Sequence, residues 1–166
     1  MGRPKQIPGR APEGGEVSAL TFNHPAILET KEAFGETTLI ADPARIVDLC
    51  RHLKHDEKFI RLSAITAVDW FPSEPRFEVV YHLHSIERNA RVRVKCRLGG
   101  TNPEIDSATA VWYGANWYER EVFDMFGIGF RNHPNLIRIL NPTDWEGYPL
   151  RKDYPVHGYK YGYGNE

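Results

Sequence analysis

The stretch "FEVVYHLHSIERNARVRVKCRL", Phe77 to Leu98, decides the fold. Two runs alternate apolar and polar residues, the pattern of half-buried strands. They flank Arg88-Asn89, a pair short enough for a two-residue hairpin loop. Pairing Glu87 with Ala90 sets Ser85 opposite Val92, Leu83 opposite Val94, Tyr81 opposite Cys96 and Val79 opposite Leu98. Every member of that face is apolar or small. The other face receives His82 and His84 opposite Lys95 and Arg93, with Arg91 and Arg97 beyond. Side chains alternate with period two, so a one-residue slip would mix the faces, and the register has internal support.

Working outward, "FIRLSAITAVDW" reads as a further strand with Ile60, Leu62, Ala64, Val68 and Trp70 on one parity, and Thr37 to Ala41 as a short one. "HPAILETKEAFG" reads as a first helix, with Pro25 at its opening and Gly35 at its stop. Asp42-Pro43 opens a second helix running to about His55, its apolar positions Ile46, Leu49, Cys50 and Leu53 recurring at helical spacing. A helical region covers Ser107 to Gly127. "IGFRNHPNLIRIL" is irregular with a short apolar run. From Asn141 onward no period survives, because prolines and glycines interrupt every few residues, yet Trp and Tyr are abundant. Disordered tails are poor in aromatics, so this segment reads as an extended arm made to lie on a surface. The predicted organisation is a disordered, Pro/Gly-rich tail (1–16), an α+β domain with a mostly antiparallel sheet and helices on one face (17–140), and the arm (141–166).

Composition excludes several functions. The net charge is -1 with 26% charged residues, which leaves no global excess to drive nucleic-acid or membrane binding. Cys50 and Cys96 are too few for a cysteine-ligated cluster within the chain, and they read as buried free thiols rather than a disulfide. No apolar run approaches the roughly 20 residues that span a bilayer, and "MGRPKQIPGRAPEGGE" lacks the apolar region of a secretory signal.

The most suggestive chemistry lies in "WYEREVFDMFG", Trp117 to Gly127. On a helix, Ala115, Tyr118, Val122, Met125 and Phe126 form a core-facing stripe. Glu121 and Asp124 sit one turn apart, Arg120 is within ion-pairing reach of Asp124, and Gly127 suits a C-cap. A bare Glu-x-x-Asp is weak evidence for catalysis, because dinuclear carboxylate sites add histidines and a second copy. A structural or interfacial role fits better. His82 and His84 share a strand face, as some metal ligands do, but four neighbouring cations would repel a metal. His52 and His55 read as solvated. "GIG" follows a helix rather than a strand, so it is not a dinucleotide fingerprint. The basic sheet face raises RNA binding, but it has no exposed aromatics for bases to stack on.

Two longer runs, "EREVFDMFGIGFRNHPNLIRIL" and "DWEGYPLRKDYP", resemble the signature of the C-type subunit of respiratory complex I, the proton-translocating NADH:quinone oxidoreductase, in its stand-alone form. The resemblance covers about the last third of the chain. It implies a component of that enzyme with no catalytic centre or cofactor of its own, while the whole complex carries FMN, iron–sulfur clusters and quinone. It implies packing against the hydrogenase-like D-type subunit near the quinone site, contact with the B-type subunit, no nucleic acid, and indirect membrane association on the cytoplasmic side of the cell membrane. Related membrane-bound hydrogenases and ferredoxin-dependent complexes carry an equivalent component. Carried onto this chain, the partner-binding residues would be Glu119, Arg120, Glu121, Asp124, His133, Arg138, Trp145, Tyr148, Arg151, Lys152, Asp153 and Tyr154.

Overall fold

The computed structural model describes residues 20–156. Elements follow in the order β1 (Ile27–Ala33), β2 (Glu36–Ala41), α1 (Ile46–His55), β3 (Arg61–Asp69), β4 (Phe77–Ser85), β5 (Ala90–Leu98), β6 (Glu104–Asp106), α2 (Ala115–Phe126) and β7 (Gly129–Arg131). Five strands form one sheet in the order β1-β2-β5-β4-β3, antiparallel except where β2 runs parallel to β5. β6 and β7 form a small parallel pair. The fold is α+β with a mostly antiparallel sheet, as expected. The predicted tail (1–16) and the end of the predicted arm lie outside the described residues.

The hairpin keeps its predicted faces but not its predicted register. Ser85 pairs with Ala90, Leu83 with Val92, Tyr81 with Val94 and Val79 with Cys96, two residues away from the expected partners. The turn therefore spans 86–89. It closes with Asn89 N–H donating to the Ile86 carbonyl at 3.2 Å, and Asn89 adopts φ +46°. A shift of two preserves parity, so Val79, Tyr81, Leu83, Val92, Val94 and Cys96 stay buried.

Two expectations are corrected. "HPAILETKEAFG" is strand β1 and its turn, not a helix. Phe34 and Gly35 both take left-handed backbone, φ +54° and +75°, which is the two-residue hairpin geometry, and Ala33 pairs with Glu36. Gly35 therefore makes a hairpin rather than stopping a helix. In β3 a bulge between Leu62 and Ala64 switches the buried parity, so Ile65, Ala67 and Asp69 face inward while Ile60 and Trp70 are exposed.

α1 buries Ile46, Leu49, Cys50 and Leu53 against the inner face of the sheet. Asp42 accepts from the Ala44 amide at 3.0 Å and starts the preceding turn. Cys50 and Cys96 are buried and free, and burial raises both thiols. α2 presents Ala115, Val122 and Phe126 to the same core. It ends at Gly127, φ +70°, whose amide donates to the Phe123 carbonyl at 2.8 Å.

Candidate functional site

The last turn of α2 has no basic residue of its own, and a helix leaves its final carbonyls without partners. Downstream residues supply them. Arg138 Nη1 donates to the Asp124 carbonyl at 3.1 Å, Leu150 N–H to the Met125 carbonyl at 3.0 Å, and Arg151 Nε to the Phe126 carbonyl at 2.5 Å. Two guanidinium charges thus sit at the negative end of the helix dipole. A Cβ added at Gly127 would overlap the Tyr148 ring and lie 2.6 Å from Arg151 Nη2, so this position needs glycine for space as well as for φ.

Asp124 is fully buried and holds the chain as it leaves Ile137. It accepts from Arg138 Nη1 (2.7 Å), from the amides of Ile139, Leu140 and Asn141 (3.0, 2.8 and 2.9 Å) and from Asn141 Nδ2 (3.0 Å). Burial alone would push its carboxyl up. The bonds from Asn141, Arg138 and Leu140 outweigh that and hold it well below the usual carboxylate range.

Asp69 and Asp153 share one guanidinium. Arg76 meets Asp69 through Nε (2.9 Å) and Nη2 (2.7 Å), and meets Asp153 through Nη1 (2.9 Å) and Nη2 (2.7 Å). Such two-pronged charge-assisted bonds are the strong kind. Asp69 also accepts from the amides of Phe71 and Lys152, at 2.9 and 2.8 Å. Burial raises the Asp69 carboxyl, and the bonds from Arg76, Lys152 and Phe71 reverse this and lower it to about 2. A stack of cations and rings runs alongside. Phe77 lies between Arg76 (4.8 Å) and Arg151 (5.1 Å), and Tyr148 between Arg151 (4.5 Å) and Arg138 (5.2 Å).

Glu119 is buried as deeply as Asp124, but its environment differs. It accepts from the Ala108 amide and the Ser107 hydroxyl, each at 2.6 Å, and from no cation. His133 stands 4.0 Å away. Its Nδ1 accepts from the Asn135 amide, so Nε2 carries the proton toward the Asn116 carbonyl, and burial lowers its pKa. A neutral imidazole leaves Glu119 uncompensated, and burial raises the carboxyl to about 7 against the two hydrogen bonds. In the unfolded chain this group ionises near its ordinary value of 4.5, so stability should fall as pH rises from there to about 7 and then level off. The total loss is about 3 kcal/mol. Glu119→Gln is expected to abolish that slope in chemical denaturation at pH 5 to 8. An unchanged slope would show that Glu119 is ionised throughout.

Around these moorings lies an apolar ledge. Trp117, Ile137 and Leu140 are 57%, 50% and 63% exposed, and Tyr113, in the turn that leads into α2, is 86% exposed. Arg120 stacks on Trp117 at 5.3 Å while donating to the carbonyls of Ile137 (3.1 Å) and Arg138 (3.2 Å), which ties the ledge together.

The sequence profile described as respiratory-chain NADH dehydrogenase, 30 Kd subunit, matches residues 39–160. The chain belongs to this family. The C-type subunit of the NADH-quinone oxidoreductase of Citrifermentans bemidjiense is 50% identical over 133 residues, 80% of this chain and 83% of that protein. The protein of the same name in Geobacter sulfurreducens is 46% identical over 134 residues, with 80% and 83% covered. Among solved structures, a trypsin-resistant fragment of Nqo5 superposes with TM-score 0.60 at 30% identity, covering 65% of this chain and 89% of the fragment. A chain of the membrane-bound sulfane sulfur reductase, an archaeal respiratory membrane complex, superposes with TM-score 0.69 at 30% identity, covering 80% and 79%.

In this family member the expected partner-binding residues divide into two groups. Asp124, Arg138, Arg151 and Asp153 make the internal bonds described above, as does the backbone of Lys152, while Glu119 and His133 are buried. Glu121 is exposed on α2, and the Lys152 side chain is exposed. Tyr148 packs edge-on to Phe123 at 6.4 Å, the Trp145 indole N–H is buried without an acceptor among the described residues, and the Tyr154 amide donates to the Arg151 carbonyl at 3.0 Å. Arg120 does not pair with Asp124 as expected, because its guanidinium caps the carbonyls of Ile137 and Arg138, and Arg138 takes its place. As far as Asp153 the predicted arm lies back on its own domain. Asp69, Arg76 and Ser107 stand outside the expected set. The bulge in β3 hides Asp69 from a reading of the sequence, because it turns an apparently outward residue inward. Among the described residues no group of three or more His, Cys, Asp or Glu side chains is arranged to hold a metal, and no helix is long and apolar enough to cross a membrane.

Proposed function

We propose that this chain is the cofactor-free C-type subunit of a proton-translocating NADH:quinone oxidoreductase, on the cytoplasmic face of the membrane. In this reading it scaffolds the hydrogenase-like D-type subunit near the quinone site and also touches the B-type subunit. The family membership supports the complex. The scaffolding role is carried by one observation: the buried acids are committed to bonds within the chain, while the ledge of Tyr113, Trp117, Ile137 and Leu140 stays open around the same helix. Aromatic and aliphatic anchors of this kind carry most interface energy. Exposed apolar surface gathered in one place marks an interaction site.

Trp117→Ala combined with Leu140→Asp is expected to leave the melting temperature nearly unchanged. The pair should reduce co-purification of the hydrogenase-like partner from solubilised membranes at least tenfold, the equivalent of about 1.4 kcal/mol. Normal recovery of that partner with the double variant would sink the scaffolding role. The likeness to the sulfane sulfur reductase chain favours a second reading, an equivalent component of a related membrane-bound complex. Flavin reducible by NADH in the recovered assembly separates the two.

A further inference from the structure

The outer face of the sheet, opposite both helices and away from the ledge, carries charge that the chain only half neutralises. At one end Lys95 and Arg97 share buried Glu78, at 2.9 Å each. At the other end, pairing sets Arg61 beside His84 and His84 beside Arg91 in one row across three strands. The next row places Ala64, His82, Arg93 and Thr38 side by side. Arg93 is paired with Glu36, and Arg88 with Glu57 at 2.8 Å. Arg61 and Arg91 make no ion pair among the described residues. The two arginines flank His84 in that row, two strands apart, and cations left without an acid on an open face complement an anionic partner. The rows line a groove that runs from Leu20 to the 86–89 turn.

We infer that this groove is a docking site for an extended, acidic segment of a neighbouring protein chain. Side chains on one face of a strand recur about every 6.8 Å, so the two rows match alternate carboxylates of an extended peptide. RNA is disfavoured because the lining contains no Phe, Tyr or Trp on which bases would stack. The chain's own first residues are a poor occupant: residues 1–19 hold Arg3, Lys5 and Arg10 against Glu13 and Glu16, a cationic excess facing a cationic groove.

The test is fluorescence anisotropy of the full-length chain with a labelled peptide of alternating glutamate and threonine. Its lysine-for-glutamate counterpart and a single-stranded RNA of similar length serve as comparisons. The acidic peptide should bind saturably, weaken several-fold between about 50 and 200 mM salt, and lose at least tenfold in affinity on Arg61→Glu with Arg91→Glu. Arg61→Gln with Arg91→Gln should give an intermediate loss. Circular dichroism confirms that each variant is folded. No saturable binding, binding indifferent to both double variants, or tighter binding of the RNA would overturn the inference. So would peptide binding that appears only after residues 1–19 are removed, which would give the groove to the chain's own tail. Self-association that the charge reversals abolish would give it to a second copy and overturn it too.

Discussion

Asp124→Ala is expected to destabilise the chain by roughly 3–5 kcal/mol, the range for removing one partner of a buried charge pair. For a domain of this size that lowers the melting temperature by about 10 °C. The carboxylate accepts from three consecutive amides, and it is the only anionic partner of the Arg138 guanidinium among the described residues. Its loss leaves Arg138 with carbonyl partners only, those of Asp124 and Gly147, and frees the chain from Ile139 to Asn141. Calorimetry should read the loss, and limited proteolysis should show new cleavage around 139–156. Asp124→Asn keeps the shape and one acceptor oxygen, so it should retain part of the stability. A loss below about 1 kcal/mol for Asp124→Ala would mean that the amides find water as readily as they find the carboxylate.

Arg76→Ala should cost about as much, roughly 3–5 kcal/mol, by a different route. It leaves the Asp69 carboxylate with two amides in a site where its side chain is 1% exposed, and it releases Asp153. It also removes one face of the cation–ring stack at Phe77. The effect has a pH signature. A carboxyl lowered to about 2 from 3.8 contributes stability above its unfolded value, and that contribution is lost as pH falls through the window to about 2. In Arg76→Ala that acid-side contribution disappears, so the stability of variant and parent should converge as pH falls from 4 toward 2. Arg76→Lys keeps the charge without the fork and should recover only part of the difference at pH 7. Parallel curves for Arg76→Ala and the parent across this range would show that Asp69 does not depend on Arg76.

Parity is legible in this sequence, and local backbone geometry is concealed. The hairpin faces, α1 and the apolar stripe of α2 follow from periodicity, which survives a register shift of two. β1 imitates a helix because Pro25 and Gly35 bracket it plausibly, whereas the left-handed pair Phe34-Gly35 makes a hairpin turn. β3 misleads because one bulged residue inverts everything after it, and that inversion hides Asp69 and with it the Arg76 clamp. The carboxylates of α2 are recognisable as structural or interfacial in kind. Their individual directions are not readable, because Glu119, Glu121 and Asp124 fall within two helical turns and only the packed fold assigns two inward and one outward.

The caps on α2 also have a consequence of timing. The carbonyl of Phe126 is met by Arg151, 25 residues downstream, and the Met125 carbonyl by Leu150. On a chain emerging from the ribosome, those two carbonyls therefore face water until residues 150 and 151 have been made. The ledge rests on that same helix. The end of α2 thus gains its final hydrogen bonds only after almost all of the described chain has been made.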